Sequence, residues 1–408
     1  MRTFILTIVF AVLLCSKAFS QVSYEPLNQR DVERIGRLLI QNKVSGLLTD
    51  NYISLSGVDL GPIEHFLSYN PLEGARIRLS GKTNTAFSKR LALSGLLAYG
   101  TNDKKLKYEV SLALSLKRKP KGVYSFPANA ISLFYSDNSH MPNLANYDAL
   151  YYSIGKNTNY SLEYRRSGGV KYLYEFPNAI GISPFANISE LYSKKHYSYG
   201  EVSELLSSPY RYASAGMELY FKPERKKAKK NSLNARLQPL TSELSLNFTH
   251  NIFLNSSEEY SKLSFLASER LFVGKKIAID MRLNGGKIFG NTPHYFYFTP
   301  SQSLGLFSSQ YALNLLSEQA YFYQKEYLQG FLQLNLGGTI CDMLPLFKKW
   351  RMNEFVYAKA LFGEYAPYYE VGFGLDNIFS CFGLEIIRSF GGNGLTEENM
   401  WGVRIRVK

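Results

Sequence analysis

Cysteine is scarce in this chain, with three residues in 408. This excludes a small secreted fold stapled by disulfides. Cys15 lies in the amino-terminal leader, so the remaining pair is Cys341 and Cys381. Either these two form a bond, or they are two unpaired apolar cysteines, which is the simpler interpretation.

Long hydrophobic runs are also missing beyond the first twenty residues. No later stretch reaches the 18 or more apolar residues that a transmembrane helix needs. The leader itself has the pattern of a signal peptide, with Arg2, an apolar core over Phe4–Leu14 and small residues in Ala18–Ser20. We predict cleavage before Gln21. A lipoprotein is disfavoured because a large leucine precedes Cys15.

Histidine is rare, and the five histidines are far apart: His65, His140, His196, His250 and His294. None has a metal-ligand spacing to another His, Cys or acid, so we expect no metal site and no cofactor. A hydrolase would need Ser, His and an orienting polar group together. His250 is near Ser245 and Asn247, but it shares the phase of the apolar residues and would project away from them. We therefore expect no catalysis.

Aromatic residues are abundant, with 31 Tyr and 27 Phe, and many segments alternate apolar and polar residues. Leu244, Leu246 and Phe248, for example, alternate with polar residues, as in a strand with one face toward lipid. Because open backbone groups cannot be left in a bilayer, such strands must close. We predict an all-β, closed antiparallel transmembrane barrel of about 14 to 16 strands over residues 73–408. The first candidate strand begins at Glu73. The candidates that follow it are Leu91–Tyr99, Lys107–Lys117, Asn129–Ser136, Asn159–Phe176, Tyr210–Phe221, Thr241–Asn251, Glu259–Phe272, Ile277–Leu283, Tyr321–Leu336, Asn353–Gly363, Tyr368–Asp376, Phe382–Phe390 and Trp401–Lys408.

Residues 21–72 form a lead-in that we place in the periplasm. Asn28–Asn42 has apolar residues at helical spacing and predicts one short amphipathic helix. Gly57–Asn70 is expected to be irregular. With the helix in the periplasm, Pro177–Pro209 and Gly290–Glu318 are long outward loops.

The formal charge of +14 is spread along the strands, which argues against a nucleic-acid partner. One dense cluster, formed by Lys222, Arg225, Lys226, Lys227, Lys229 and Lys230, follows a strand. It is either a loop that binds lipid phosphates or an acidic partner, or a solvated loop without a partner. Six charges in strand phase are candidates to line the lumen: Arg76, Arg78, Asp280, Arg282, Arg404 and Arg406. They either select anionic cargo or brace a plugged barrel.

Two blocks resemble a known family. The first comprises Tyr69–Leu79, Thr83–Thr85, Phe87–Arg90, Ala98–Thr101 and Asp103–Lys105, and the second comprises Met343–Leu346, Lys348, Lys349 and Glu370–Phe379. They are similar to the barrel part of outer-membrane proteins named for a carboxypeptidase-regulatory-like domain. The resemblance implies a barrel of unassigned task, distantly like surface-antigen barrels, and no peptidase activity. The lead-in is too short for the sandwich domain or client-receiving repeats of such proteins.

These observations predict a non-catalytic protein of the outer membrane of a Gram-negative cell, exported by a cleaved signal peptide. Its expected role is the passage or surface assembly of an unidentified molecule, with the lipid bilayer as its first partner. The alternative is a surface interaction protein, in which the barrel is an anchor and long loops bind a protein partner. A membrane hydrolase is the third and weakest class.

Overall fold

The computed structural model describes residues 52–141, 159–198, 201–225, 242–273, 277–303, 306–316, 324–345, 347, 352–378, 382–391 and 400–407. These residues form one sheet of 20 strands. The strands are β1 Ile53–Ser54, β2 Val58–Leu60, β3 Leu67–Asn70, β4 Gly74–Thr83, β5 Leu91–Gly100, β6 Leu106–Ser115, β7 Asn129–His140, β8 Asn159–Glu175, β9 Ile180–Ser198, β10 Glu201–Glu204, β11 Tyr210–Phe221, β12 Glu243–Phe253, β13 Glu259–Val273, β14 Ile277–Gly290, β15 Phe307–Ser308, β16 Glu326–Asn335, β17 Asn353–Gly363, β18 Tyr368–Ile378, β19 Phe382–Gly391 and β20 Trp401–Val407.

Single 3₁₀ turns at Ile63–His65, His294–Phe296 and Cys341–Met343 interrupt the connections. Within the described part of the chain, no helix combines the length and the hydrophobicity needed to cross a bilayer. The predicted signal peptide and the helix predicted over Asn28–Asn42 lie outside the described residues.

The sheet is an antiparallel meander in which strands that are consecutive in the chain are neighbours. The strands from β3 to β20, without β10 and β15, are sixteen, and each pairs with the next. The total exceeds the predicted 14 to 16 because β1, β2, β10 and β15 are short additions of two to four residues. Such short strands show too few residues for a two-residue period to be recognised.

Short segments of the chain cover both edges of this meander. β2 and β3 both pair with the edge of β4 that faces away from β5, and β15 pairs in parallel with the edge of β20 that faces away from β19. No hydrogen bond joins β4 directly to β20 among the described pairings. Closure of the sheet into a barrel therefore stays a prediction.

The two faces of the sheet differ in an unusual way. On β4, Ile77 and Leu79 are 59% and 58% exposed, whereas Arg76 is fully buried. On β6, Val110, Leu112 and Leu114 are exposed and Lys107 is buried. We call the face with the exposed apolar residues the outer face, and the opposite one the inner face. The predicted alternation is confirmed on these strands, with the apolar side chains exposed on one face and Arg76 and Lys107 buried on the other.

The predicted loop Pro177–Pro209 is wrong for most of its length, because it contains β9. This strand pairs with β11 over Ile180–Leu191 and with β8 over Gly181–Ser198, but its pairs with β8 skip Ser183, Pro184 and Tyr192. Small polar residues and a proline conceal the period of two in this segment. The additional strand places the connection over residues 142–158 at the same end of the sheet as the one over residues 291–325.

The lead-in also differs from the prediction. Gly57–Asn70, which was expected to be irregular, contains β2 and β3, both hydrogen-bonded to β4. The sheet thus begins before Glu73.

Candidate functional site

The inner face holds its charges in buried ion pairs. Near the start of β4, Glu73 Oε1 lies 2.7 Å from Arg76 Nη1 and 2.7 Å from Lys107 Nζ. Lys107 Nζ also lies 2.6 Å from Asp103 Oδ2, and Arg76 donates to Ser139 Oγ at 2.7 Å. Because these groups are out of water, each must keep its partner. Arg76 thus links β4 to Ser139 of β7, and its bracing role stays a prediction.

Arg78 occupies a different environment on the same strand. It is half-buried and lines a cavity of about 410 Å³ together with Ser80, Ser94, Glu109 and Ser111. Polar and apolar side chains contribute about equally to the lining of this cavity.

The connection between β14 and β16 turns onto the inner face. Residues 306–316, which we call the inner loop, include β15, and the Ile405 N–H of β20 donates to Leu306 O at 2.9 Å. Leu313, Leu315 and Leu316 of the inner loop are buried. This outward loop of the sequence prediction therefore folds inward over residues 306–316, because its leucines find apolar neighbours there.

Asn314 is the centre of the contact between the inner loop and the sheet. The N–H groups of Asn314 and Leu315 donate to Glu370 Oε1 at 2.8 and 2.7 Å. The Asn314 side chain donates to Glu385 Oε1 at 2.8 Å. Lys359 Nζ donates to Ala312 O at 2.6 Å. Carboxylates that accept several N–H groups form strong charge-assisted hydrogen bonds, so these contacts hold the loop against β17, β18 and β19.

The other candidate lumen charges gather around the same loop. Arg404 Nε donates to Asn314 O at 3.3 Å, and Arg406 donates to Glu385 Oε2 at 3.1 Å and to Gln333 Oε1 at 3.1 Å. Asp280 accepts from Gln310 of the loop at 3.0 Å and is paired with Arg270. The Arg282 guanidinium lies 4.9 Å from the ring centroid of Tyr311. Four of the six candidates are therefore brought together, and Arg76 and Arg78 lie apart on β4.

A second part of the connection between β14 and β16 packs an aromatic ring against the sheet. Phe296, in the turn His294–Phe296, packs against Tyr212, Phe253 and Tyr260 in one buried cluster. The ring of Phe296 lies edge-on to those of Tyr212 and Phe253, with centroids 5.2 and 5.1 Å away. Sequence reasoning missed this cluster, since its members come from separate strands.

Two residues of the basic cluster lie in the described part of the chain, and both form ion pairs. Lys222 Nζ lies 2.8 Å from Glu243 Oε1, and Arg225 Nε lies 2.6 Å from Glu175 Oε1. Lys226, Lys227, Lys229 and Lys230 lie outside the described residues, so binding of lipid phosphates stays a prediction.

Cys341 carries a free, buried thiol at the turn after β16. Burial, together with the neighbouring Glu354 carboxylate, raises its pKa to about 12. Cys381, which would be its partner if the two cysteines formed a disulfide bond, lies outside the described residues. In the described part of the chain, no three His, Cys, Asp or Glu side chains are grouped to hold a metal ion.

His250 projects from the outer face, whereas Ser245 and Asn247 lie on the other side of β12, as the phase of the strand predicts. Its nearest polar neighbour is Ser261, its register partner on the adjacent strand β13. Sequence reasoning missed this neighbour because strand register is not visible in a single segment.

The chain belongs to the family of unknown function DUF5686, whose C-terminal domain model matches residues 49–375. No curated protein matches the chain. Among solved structures, it is similar to BamA from Haemophilus ducreyi lacking POTRA domains 1–3, with 11% identity over 86% of this chain and 71% of that chain, and a TM-score of 0.47. It is also similar to CdiB from Acinetobacter baumannii, with 10% identity over 83% of this chain and 57% of that chain, and a TM-score of 0.43.

Proposed function

We propose that this protein is an integral outer-membrane barrel that serves the passage or surface assembly of an unidentified molecule, and that the inner loop closes its interior at rest. The observation that carries the proposal is the distribution of side chains between the two faces. Exposed apolar residues cover the outer face, while ion pairs are buried on the inner face. A water-soluble sheet has the reverse arrangement, because apolar surface is unfavourable in water.

The outer face also has the height of a bilayer. On β12, Leu244, Leu246 and Phe248 lie between the outward polar residues Ser242 and His250. Those eight residue steps span roughly 27 Å along a strand. At a tilt of about 45°, this becomes roughly 20 Å along the membrane normal, comparable with the apolar band of about 25 Å in outer-membrane barrels.

The inner loop supports a closed resting state. Its Asn314 is buried, and the loop contacts β17, β18, β19 and β20 by hydrogen bonds. β3 enters and β20 leaves at the sheet end opposite to the connection that carries the loop. We place that connection at the cell surface, and the start of β3 and the end of β20 on the periplasmic side.

Conductance in planar bilayers tests this proposal. The native protein should conduct weakly, and Glu370→Ala should raise the conductance several-fold, because the N–H groups of Asn314 and Leu315 lose their acceptor. Glu326→Ala is the matched control, since this carboxylate pairs with Lys287 on the exposed outer face. Conductance that stays at the background level in both Glu370→Ala and the native protein would refute passage and favour the barrel-anchored interaction protein.

A further inference from the structure

Three polar side chains meet on the outer face where β12 and β13 are joined by residues 254–258. His250 Nδ1 lies 3.0 Å from Ser261 Oγ, and His250 Nε2 lies 3.8 Å from Glu259 Oε2. His250 and Ser261 are direct register partners, and Glu259 pairs with Ile252, the next outward position of β12. A serine, a histidine and a carboxylate are thus arranged in the order that activates a serine nucleophile.

The position of this trio on the outer face is unusual. Its neighbours along β12 are Phe248 and Ile252, both exposed and apolar. Polar groups on such a face cost free energy unless they are paired. The pairing satisfies Ser261 Oγ and one nitrogen of His250, and both residues stay partly exposed.

A furrow in the outer face begins at His250 on the β11 side of the imidazole, whereas Ser261 lies on the β13 side. The furrow has a volume of about 590 Å³, and its apolar lining includes Leu133, Ile188 and Ile252. Its floor is low because Ala186, Ala213 and Ala215 lie on adjacent strands, β9 and β11, with Ala215 directly opposite His250. The volume lies in the range of about 300 to 1,000 Å³ that is typical of sites for small molecules. A furrow with these walls fits an acyl chain.

Outward charges lie close to the trio, on a face that also carries the exposed apolar residues Ile252 and Phe289. Glu259 is 67% exposed on β13, and Lys287 of β14 pairs with Glu326 of β16 at 2.6 Å, also in an exposed position. Ser261 lies between Glu259 and Leu263, whose register partner is Lys287. A lipid holds its ester carbonyl in such mixed surroundings, between hydrocarbon and headgroup.

We propose that Ser261, His250 and Glu259 form a hydrolytic site for a fatty-acyl ester of a membrane lipid, with the acyl chain in the furrow. The proposal rests on the membrane location proposed above, and it departs from the prediction of a non-catalytic protein. That prediction considered only Ser245 and Asn247 as partners of His250.

The reaction needs only the ester and water. Ser261 Oγ attacks the carbonyl carbon and its proton passes to His250 Nδ1, which then protonates the departing alcohol as the carbon–oxygen bond breaks. Water from the membrane surface attacks the acyl-serine, gives its proton to Nδ1, and releases the fatty acid as Ser261 regains its proton. Glu259 is the positioning residue: its carboxylate lies 3.8 Å from Nε2, and its charge favours the tautomer with the proton on Nε2, which leaves Nδ1 free to accept.

Ester hydrolysis by the full chain in mixed detergent micelles tests the site, with p-nitrophenyl palmitate and phosphatidylcholine as substrates. Ser261→Ala and His250→Gln should each lower kcat by about 100-fold or more. Ser264→Ala is the matched control, because Ser264 lies on the same strand but faces the inner side opposite Asn247. The faster gel migration of an unheated folded barrel verifies that each variant folds. Equal rates for the native protein and folded Ser261→Ala would overturn the proposal.

Covalent labelling with a fluorophosphonate gives a second readout. The label should be found on Ser261 by peptide mass spectrometry and should be lost in His250→Gln. Glu259→Gln should lower kcat with little change in KM, and Glu259→Asp should restore most of the rate. A native protein that binds detergent and conducts but never takes up the label would refute the hydrolytic site and leave the membrane barrel intact.

Discussion

The strongest test of the membrane-facing assignment is an arginine scan of two adjacent residues on β12. Leu246 is 43% exposed on the outer face, and Asn247 lies on the inner face opposite Glu218 of β11. Leu246 is four residues from both Ser242 and His250, which is roughly 14 Å along the strand in each direction. At a tilt of about 45°, it lies roughly 10 Å from each border of the apolar band, near the bilayer midplane.

Leu246→Arg should therefore cost about 2 to 4 kcal/mol of stability, the value for a charge at mid-membrane depth. Asn247→Arg should cost less than about 1 kcal/mol, because the new guanidinium meets water and the Glu218 carboxylate. Reversible urea unfolding in lipid vesicles measures both. Equal costs at the two positions would mean that the outer face does not contact lipid, and the barrel proposal would fail.

Three further outcomes are expected. Glu73→Ala should destabilise the protein by about 3 to 5 kcal/mol in the same urea titration, because it removes a buried carboxylate that pairs with both Arg76 and Lys107, whereas Glu326→Ala in an exposed pair should cost less than about 1 kcal/mol. Gly372→Val should lower the thermal midpoint seen by circular dichroism, because its side chain would overlap the ring of Tyr357. In a Cys381→Ser background, the Cys341 thiol should resist maleimide at pH 8 until urea unfolds the chain. Folding raises the pKa of this thiol from 9.0 to about 12. Its contribution to stability is therefore fully present below pH 9 and is lost as the pH rises toward 12. Rapid alkylation of the folded protein would contradict the burial of this thiol.

The alternation of side chains made most of the sheet predictable from the sequence. A strand with lipid on one side and water on the other keeps a period of two that is visible in any segment of about eight residues. Leu244 and Leu246 were assigned to the lipid-facing side on this basis, and both are exposed. β9 was missed because Pro184 and small polar residues break the period.

The contacts of the inner loop were not predictable in the same way. Asn314 meets Glu370 and Glu385 across separations of 56 and 71 residues. A period reports the face on which a side chain lies, but it does not report which distant strand approaches it. The sequence therefore assigned Arg404 and Arg406 to the inner side, but it predicted an outward connection for the loop that they contact.

The same limit explains why the outer-face trio escaped the sequence search. His250 and Ser261 are directly opposite only in the observed register, and a shift of one residue would turn Ser261 to the inner face. Their assignment to the outer face separates the two proposals physically, since the sheet lies between Ser261 and the inner loop. Ser261→Ala should leave conductance unchanged, and Glu370→Ala should leave ester hydrolysis unchanged within about two-fold, as expected for sites without shared partners. A loss of hydrolysis in Glu370→Ala with the fold intact would mean that the loop and the outer face are coupled through β13 and β14.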